Sequence, residues 1–158
     1  MVSLLSFRVE GRALGAPLKP GRAVDLVDLG AVASRLFAWR TGFRYQSQDV
    51  VGFGTGAFES GPVYFGACVS FLTSNGLFLC STHDDRPLMT AYCNNSPFDS
   101  EAFLLLDEHG AASGKPAHYG DVAILRRVNG RTLHCVPGQA PAFRSTACGE
   151  NEKFRIWF

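Results

Sequence analysis

The chain has 158 residues, enough for one domain with a sizeable core, and 46% of them are hydrophobic and 12% aromatic, which excludes a disordered tail. A formal net charge of +1 excludes the strong basic excess of a generic nucleic-acid binder, and no apolar run reaches the length of a membrane span. Thirteen Phe, 17 Gly and 8 Pro suit many short strands joined by tight turns.

In chain order, MVSLLSFRVEGR opens with a short apolar run but has no basic n-region and no cleavage pattern, so no secretory leader is expected. Leu5 and Leu14 flank a turn at Gly11, which predicts two strands. Residues 24–30 (VDLVDLG) supply a third strand, and residues 34–40 (SRLFAWR), with Phe37 and Trp39, a fourth. Residues 41–68 form a long linker carrying Phe43, Tyr45, Phe53, Phe58, Tyr64 and Phe65 among several Gly. Such an aromatic, glycine-rich segment either packs on a scaffold or serves as a binding loop.

The pattern then repeats. Val69 and Phe71 alternate at period two, Asn75-Gly76 turns the chain, and Leu79 follows three residues after the Gly. Residues 82–87 (THDDRP) place His83 beside two carboxylates. They fall where a polar turn is expected, and catalysis would need a second converging element that the sequence does not name. Residues 87–93 (PLMTAYC) and 100–106 (SEAFLLL), with Glu101, Phe103 and Leu105, complete the set. After a second linker at 107–121 come Ala123 and Leu125, then Asn129-Gly130, Leu133, residues 141–148 (PAFRSTAC), and finally Glu152, Phe154 and Ile156.

Three aligned copies emerge. The turn Gly lies 26 residues before the closing-strand Phe in the first (Gly11, Phe37), 27 in the second (Gly76, Phe103) and 24 in the third (Gly130, Phe154). The first copy is degenerate, with Glu10 for Asn and Arg35 for Glu, and its upstream register is off by about one residue, which a bulge would absorb. Three units of four strands predict an all-β fold of twelve short strands, a β-trefoil. It is expected to form one domain over residues 1–158, with unit one at 1–45, unit two at 69–107 and unit three at 121–158. The expected inward set is Leu5, Leu14, Phe37, Val69, Phe71, Leu79, Phe103, Leu125, Leu133, Phe154 and Ile156.

Residues 123–135 (AILRRVNGRTLHC) followed by 150–158 (ENEKFRIWF) resemble the fascin-like family of β-trefoils, whose units read roughly V-x-L-x-x-x-N-G-x-Y-L and later E-x-F-x-aliphatic. The second copy resembles it through Val69, Phe71, Asn75, Gly76, Phe78, Leu79, Glu101 and Phe103. The resemblance implies a non-enzymatic cytoplasmic protein associated with the cytoskeleton, binding actin or, as an acidic alternative, the microtubules of a ciliary axoneme. These motif residues belong to core and turns. The family's proteins carry four trefoils where this chain has one.

Carbohydrate binding is the alternative for a trefoil. The ricin-type Q-x-W signature is absent: the closing strands read Phe-Ala-Trp, Phe-Leu-Leu and Phe-Arg-Ile. Three Lys in total argue against a heparin-binding growth factor. Five Cys are an odd number, there is no CxxC and the four His are scattered, so free thiols, no metal and no cofactor are expected.

Charge is unevenly distributed. Residues 1–45 carry seven basic and three acidic groups, residues 46–118 two and eight, and residues 119–158 six and three. In a closed trefoil the third unit lies beside the first, which predicts one basic side. Arg, suited to planar contacts with carboxylates, dominates it. Arg8, Arg12, Arg22, Arg126 and Arg131 are the expected contacts to an acidic protein surface, with Phe53, Phe58 and Tyr64 of the linker beside them. Leu125 inward leaves Arg126 outward.

Overall fold

Apolar residues spaced two apart share one face of an extended chain, so short alternating runs punctuated by Gly and Pro fold as strands. The computed structural model describes residues 3–6, 8–9, 11–15, 20–28, 38–40, 63–72, 77–81, 86–91, 100–127 and 129–157. They contain β1 (Ser3–Ser6), β2 (Arg12–Gly15), β3 (Asp25–Asp28), β4 (Ala38–Arg40), β5 (Cys68–Leu72), β6 (Phe78–Cys80), β7 (Met89–Ala91), β8 (Phe103–Asp107), β9 (Val122–Arg126), β10 (Thr132–His134), β11 (Ala142–Ser145) and β12 (Phe154–Trp157). A 3-10 turn, Glu150–Glu152, leads into β12. Among the described residues no helix is long and apolar enough to cross a membrane.

The pairings are antiparallel, and the path β1–β12–β9–β8–β5–β4 uses only the first and fourth strands of each unit. The second and third strands hang from it as the hairpins β2–β3, β6–β7 and β10–β11. Their third strands meet one another: the Val24 N–H donates to the Leu88 carbonyl at 2.6 Å, and the Leu88 N–H to the Pro141 carbonyl at 2.8 Å. Strands closed by hairpins in threefold array make a β-trefoil.

Equivalent hydrogen bonds confirm the alignment of units two and three. Gly66 N–H reaches the Leu105 carbonyl at 2.7 Å, as Gly120 N–H reaches that of Ile156 at 2.7 Å. Ser81 N–H reaches the Ser100 carbonyl at 2.8 Å, as Cys135 N–H reaches that of Asn151 at 2.8 Å.

One core fills the trefoil. Leu14, Val69, Phe71, Leu79, Phe103, Leu125, Leu133, Phe154 and Ile156 are buried as expected. Phe37 and the side chain of Leu5 lie outside the described residues. Leu4, Val24, Leu88 and Phe143, which periodicity alone did not single out, are equally buried. Phe143 stacks on Phe103 with ring centroids 5.1 Å apart and planes 3° from parallel.

The first hairpin differs from its siblings by two residues, not by a one-residue bulge. Leu5 pairs with Ala13 across seven residues, whereas Leu72 pairs with Phe78 and Arg126 with Thr132 across five. A one-residue slip would turn a strand's side chains to the opposite face. An extension of two inside the turn preserves the period, and Leu4, Phe71 and Leu125 all remain buried.

The Asn-Gly turn at 129–130 is also particular. Gly130 takes a left-handed φ of +86°, which a side chain would resist. Asn129 Oδ1 accepts the Arg131 N–H at 3.0 Å, and Arg127 N–H closes the loop on the Arg131 carbonyl at 2.8 Å. This is a three-residue hairpin loop, with Gly in the bulge position.

The two long linkers lie against each other. Phe65 N–H donates to the Lys115 carbonyl at 3.0 Å, and Ala117 N–H to the Val63 carbonyl at 2.7 Å. Phe65 joins the core, so this end of the aromatic linker packs on the barrel, while Tyr64 stays 47% exposed. Phe53 and Phe58 lie outside the described residues.

Candidate functional site: a groove between the first and third units

Pairing of Ser3 with Trp157 through Ser6 with Phe154 joins β1 to β12 and sets unit one beside unit three. A groove of about 600 Å³ runs along this seam. Val9, Arg12 and the stretch from Ala23 to Leu26 line one wall, and Val136 to Ala140 line the other. The second wall is braced from behind: Arg144 Nη1 donates to Gln139 Oε1 at 3.1 Å and Nη2 to the Ala140 carbonyl at 3.0 Å.

The arginines singled out from sequence divide into two groups. Arg8, Arg12 and Arg22 are exposed; Arg12 lines the groove, whereas Arg8 and Arg22 are not among its lining residues. Arg12 Nε lies 3.2 Å from Asp28 Oδ1, with both side chains largely in water. Such a pair is worth about 0.2–1 kcal/mol, so it orients Arg12 more than it stabilises the fold. Arg126 and Arg131 are half-buried and hold the protein's own atoms. Arg126 Nη2 donates to Cys148 Sγ at 3.8 Å, and Arg131 Nη1 to the Arg144 carbonyl at 3.1 Å. Arg126 is the outward residue next to Leu125, yet its guanidinium folds back on the third unit.

A second groove, of about 400 Å³, lies beside the 107–121 linker and is edged by Asp107, Glu108 and Asp121. Its carboxylates shape loops: Asp107 Oδ1 accepts the N–H groups of His109 and Ala111 at 2.9 Å each, and Asp121 Oδ2 that of His118 at 2.9 Å. Of the THDDRP segment, residues 82–85 lie outside the described residues. Its end is structural, since Pro87 bridges to Ala142.

Two buried carboxylates, absent from both groove linings, occupy the Glu of each E-x-F motif. Glu152 Oε1 accepts from Ser145 Oγ at 2.7 Å and from His134 Nδ1 at 3.0 Å, and Oε2 accepts the Gly149 N–H at 3.0 Å. An ionised carboxylate only accepts, so Nδ1 of His134 carries the hydrogen. In the second unit Glu101 occupies the matching place, taking Ser100 Oγ at 2.7 Å. Cys80 stands where unit three has His134, and burial, with the Glu101 charge adding to it, pushes its thiol up to about 11. The sequence signal for these groups was the repeated Glu two residues before Phe; nothing in it revealed that they are buried.

Cys68, Cys80, Cys135 and Cys148 form no disulfide among the described residues, and Cys93 lies outside them. With a value near 11, only about one Cys80 in a thousand is thiolate at pH 8. Iodoacetamide labelling of the native protein at that pH should therefore leave Cys80 unmodified long after Cys148 has reacted. Comparable rates, read by peptide mass spectrometry, would show that Cys80 is accessible and unshifted.

No protein-family model matches the chain, and no curated protein matches it. Solved structures do. The SDF2-like protein from Arabidopsis thaliana superposes with a TM-score of 0.67 at 13% identity, over 98% of this chain and 90% of that one. The BEL β-trefoil gives 0.61 at 12% identity, over 99% and 91%. The protein O-mannosyltransferase Pmt1–Pmt2 complex of S. cerevisiae, bound to its sugar donor, gives 0.68 at 13% identity; 99% of this chain matches 24% of that one. These likenesses establish the β-trefoil fold.

Proposed function

We propose that this β-trefoil is a non-enzymatic binding or scaffolding module of the cytoplasm that attaches to an acidic protein filament through its basic seam. The observation that carries this reading is the β1–β12 pairing, which sets unit one, with Arg8, Arg12 and Arg22 exposed, beside unit three, the two segments that carry the chain's basic excess. The choice of a filament, actin or axonemal microtubules, rests on the resemblance of the β5–β8 and β9–β12 segments to the fascin-like family. Tyr64 and the aromatic linker would add apolar contact beside the charges.

The test is co-sedimentation with actin and with microtubules. Wild type should pellet with one of them and release as salt rises, because exposed charges are screened within about 8–10 Å. The double reversal Arg8→Glu/Arg22→Glu should weaken binding by about tenfold or more while leaving the thermal midpoint unchanged, since both side chains lie on the surface. Equal pelleting of the variant at low salt would remove the basic seam from the interface. Carbohydrate binding is the second reading, favoured by the mixture of donors and acceptors that Arg12, Asp25 and Gln139 present at the groove. It predicts glycan-array signals that survive added salt.

A further inference from the structure

We propose that Asn129-Gly130, in the hairpin loop of the third unit, is a site of spontaneous deamidation, and that opening of this loop gates the reaction. The chemistry needs only water. The Gly130 backbone nitrogen attacks Cγ of Asn129. The new N–Cγ bond replaces Cγ–Nδ2, and Nδ2 leaves as ammonia with the Gly130 amide hydrogen. Water then opens the cyclic imide at one of its two carbonyls. Opening at Cγ gives aspartate. Opening at the main-chain carbonyl gives isoaspartate, whose chain runs on through Cγ.

Three observations support the site and its gate. First, Asn129 and Gly130 are both exposed, so water reaches the imide, and Gly130 has no side chain to shield the attacking nitrogen. Second, that nitrogen is engaged. The Gly130 N–H donates to the Arg127 carbonyl at 2.9 Å, which closes a β-turn with Asn129 as its third residue. The third residue of such a turn has ψ of about 0°. At that angle the Gly130 nitrogen eclipses Asn129's own nitrogen, whereas ring closure needs it to eclipse Cβ. Third, the carboxamide is held too, since Oδ1 accepts the Arg131 N–H at 3.0 Å. Attack therefore requires rotation about Cα–C of Asn129, and that rotation breaks the Gly130–Arg127 bond. The loop must open locally before the chain can react.

The two products differ in what they do to the hairpin. Aspartate at 129 keeps the main chain and still offers Oδ1 to the Arg131 N–H. Isoaspartate inserts a methylene between Arg127 and Arg131, whose N–H and carbonyl close the loop at 2.8 Å next to the Arg126–Thr132 pair. Both place a new carboxylate between two arginines, and loss of ammonia makes the change one-way. None of this depends on which partner the module binds.

The test ages the protein beside a synthetic peptide of residues 124–134 at the same pH and temperature. Peptide mass spectrometry follows Asn129 separately from Asn75, which lies outside the described residues. Asn129 should deamidate at least about tenfold more slowly in the folded protein than in the peptide. Hydrogen exchange at the Gly130 amide needs the same bond broken, so its protection should match that retardation within about threefold. Equal rates in protein and peptide, no reaction in the peptide, or retardation far from the exchange protection would overturn the gated site. Asn129→Asp should keep the wild-type thermal midpoint, while isoaspartate-containing protein, separated by ion exchange, should melt lower. Equal midpoints would overturn the effect assigned to the lengthened loop.

Discussion

Phe103→Ala should lower the free energy of unfolding by about 3–5 kcal/mol, a large part of the roughly 5–15 kcal/mol that a domain of this size possesses. Phe103 is 1% exposed, stacks on Phe143 and lies 6.3 Å from Phe71, centroid to centroid. It therefore joins the first strand of its unit to the third strand of the next. Truncation removes the burial of the ring and leaves a cavity bounded by two other rings, which the closed barrel cannot collapse to fill. Urea denaturation measures the loss. A cost below about 1 kcal/mol would mean that the site behaves as surface and that the pseudo-threefold alignment is wrong. Phe143→Ala should be similarly costly. The two together should fall short of the sum, because they share one contact.

The second large effect is expected at Glu152. The carboxylate is 3% exposed and accepts from Ser145, His134 and the Gly149 N–H, so it ties β10, β11 and the 3-10 turn together just ahead of β12. Glu152→Ala would leave the part-buried Ser145 and His134 donors without this acceptor and empty a buried site, at a cost of about 1–3 kcal/mol. Glu152→Gln keeps the volume but turns an NH₂ toward donors, so it should also destabilise, by less. Burial pushes this carboxyl up, but the hydrogen bonds from Ser145, His134 and Gly149, with the His134 charge, pull it further down, and the balance lies below the ordinary 4.5. A lowered folded value means that the stabilisation is complete above the unfolded value and is lost as pH falls through the folded one. Wild type should therefore lose more stability than Glu152→Gln on acidification from about pH 5 to about pH 3. Parallel pH profiles for the two proteins would show that the carboxylate is not held ionised by this network.

Much of the architecture is legible in particular residues. Val69 and Phe71, or Ala123 and Leu125, share a face by period two, and Gly130 marks the turn because only a residue without Cβ rests easily at φ +86°. The Glu and Phe two apart in 101–103 and 152–154 identify the closing strands. Phe143, by contrast, looks like one apolar residue among Ala, Pro and Arg, and its burial follows only from the meeting of third strands at Leu88 and Pro141. The first hairpin misleads at the level of sequence, since a two-residue lengthening of its turn mimics a register slip.

The candidate site divides in the same way. Charge segregation along the chain and the closure of unit three against unit one are consequences of composition and repeat, so both could be anticipated. Which arginines face solvent could not. Arg126 and Arg131 bend back to Cys148 and the Arg144 carbonyl, whereas Arg8 and Arg22 remain exposed, because long side chains take whichever partner the folded surface brings within reach. The groove itself has no local signature. It exists because the Val136–Ala140 turn and the β3 edge, 110 residues apart in sequence between Leu26 and Val136, are brought together by β1 pairing with β12. Local sequence specifies strand faces and turns through short-range sterics and hydropathy. Tertiary closure decides which polar groups are buried, which edges stay free and which charges become neighbours, because those depend on distances between residues that no local pattern encodes.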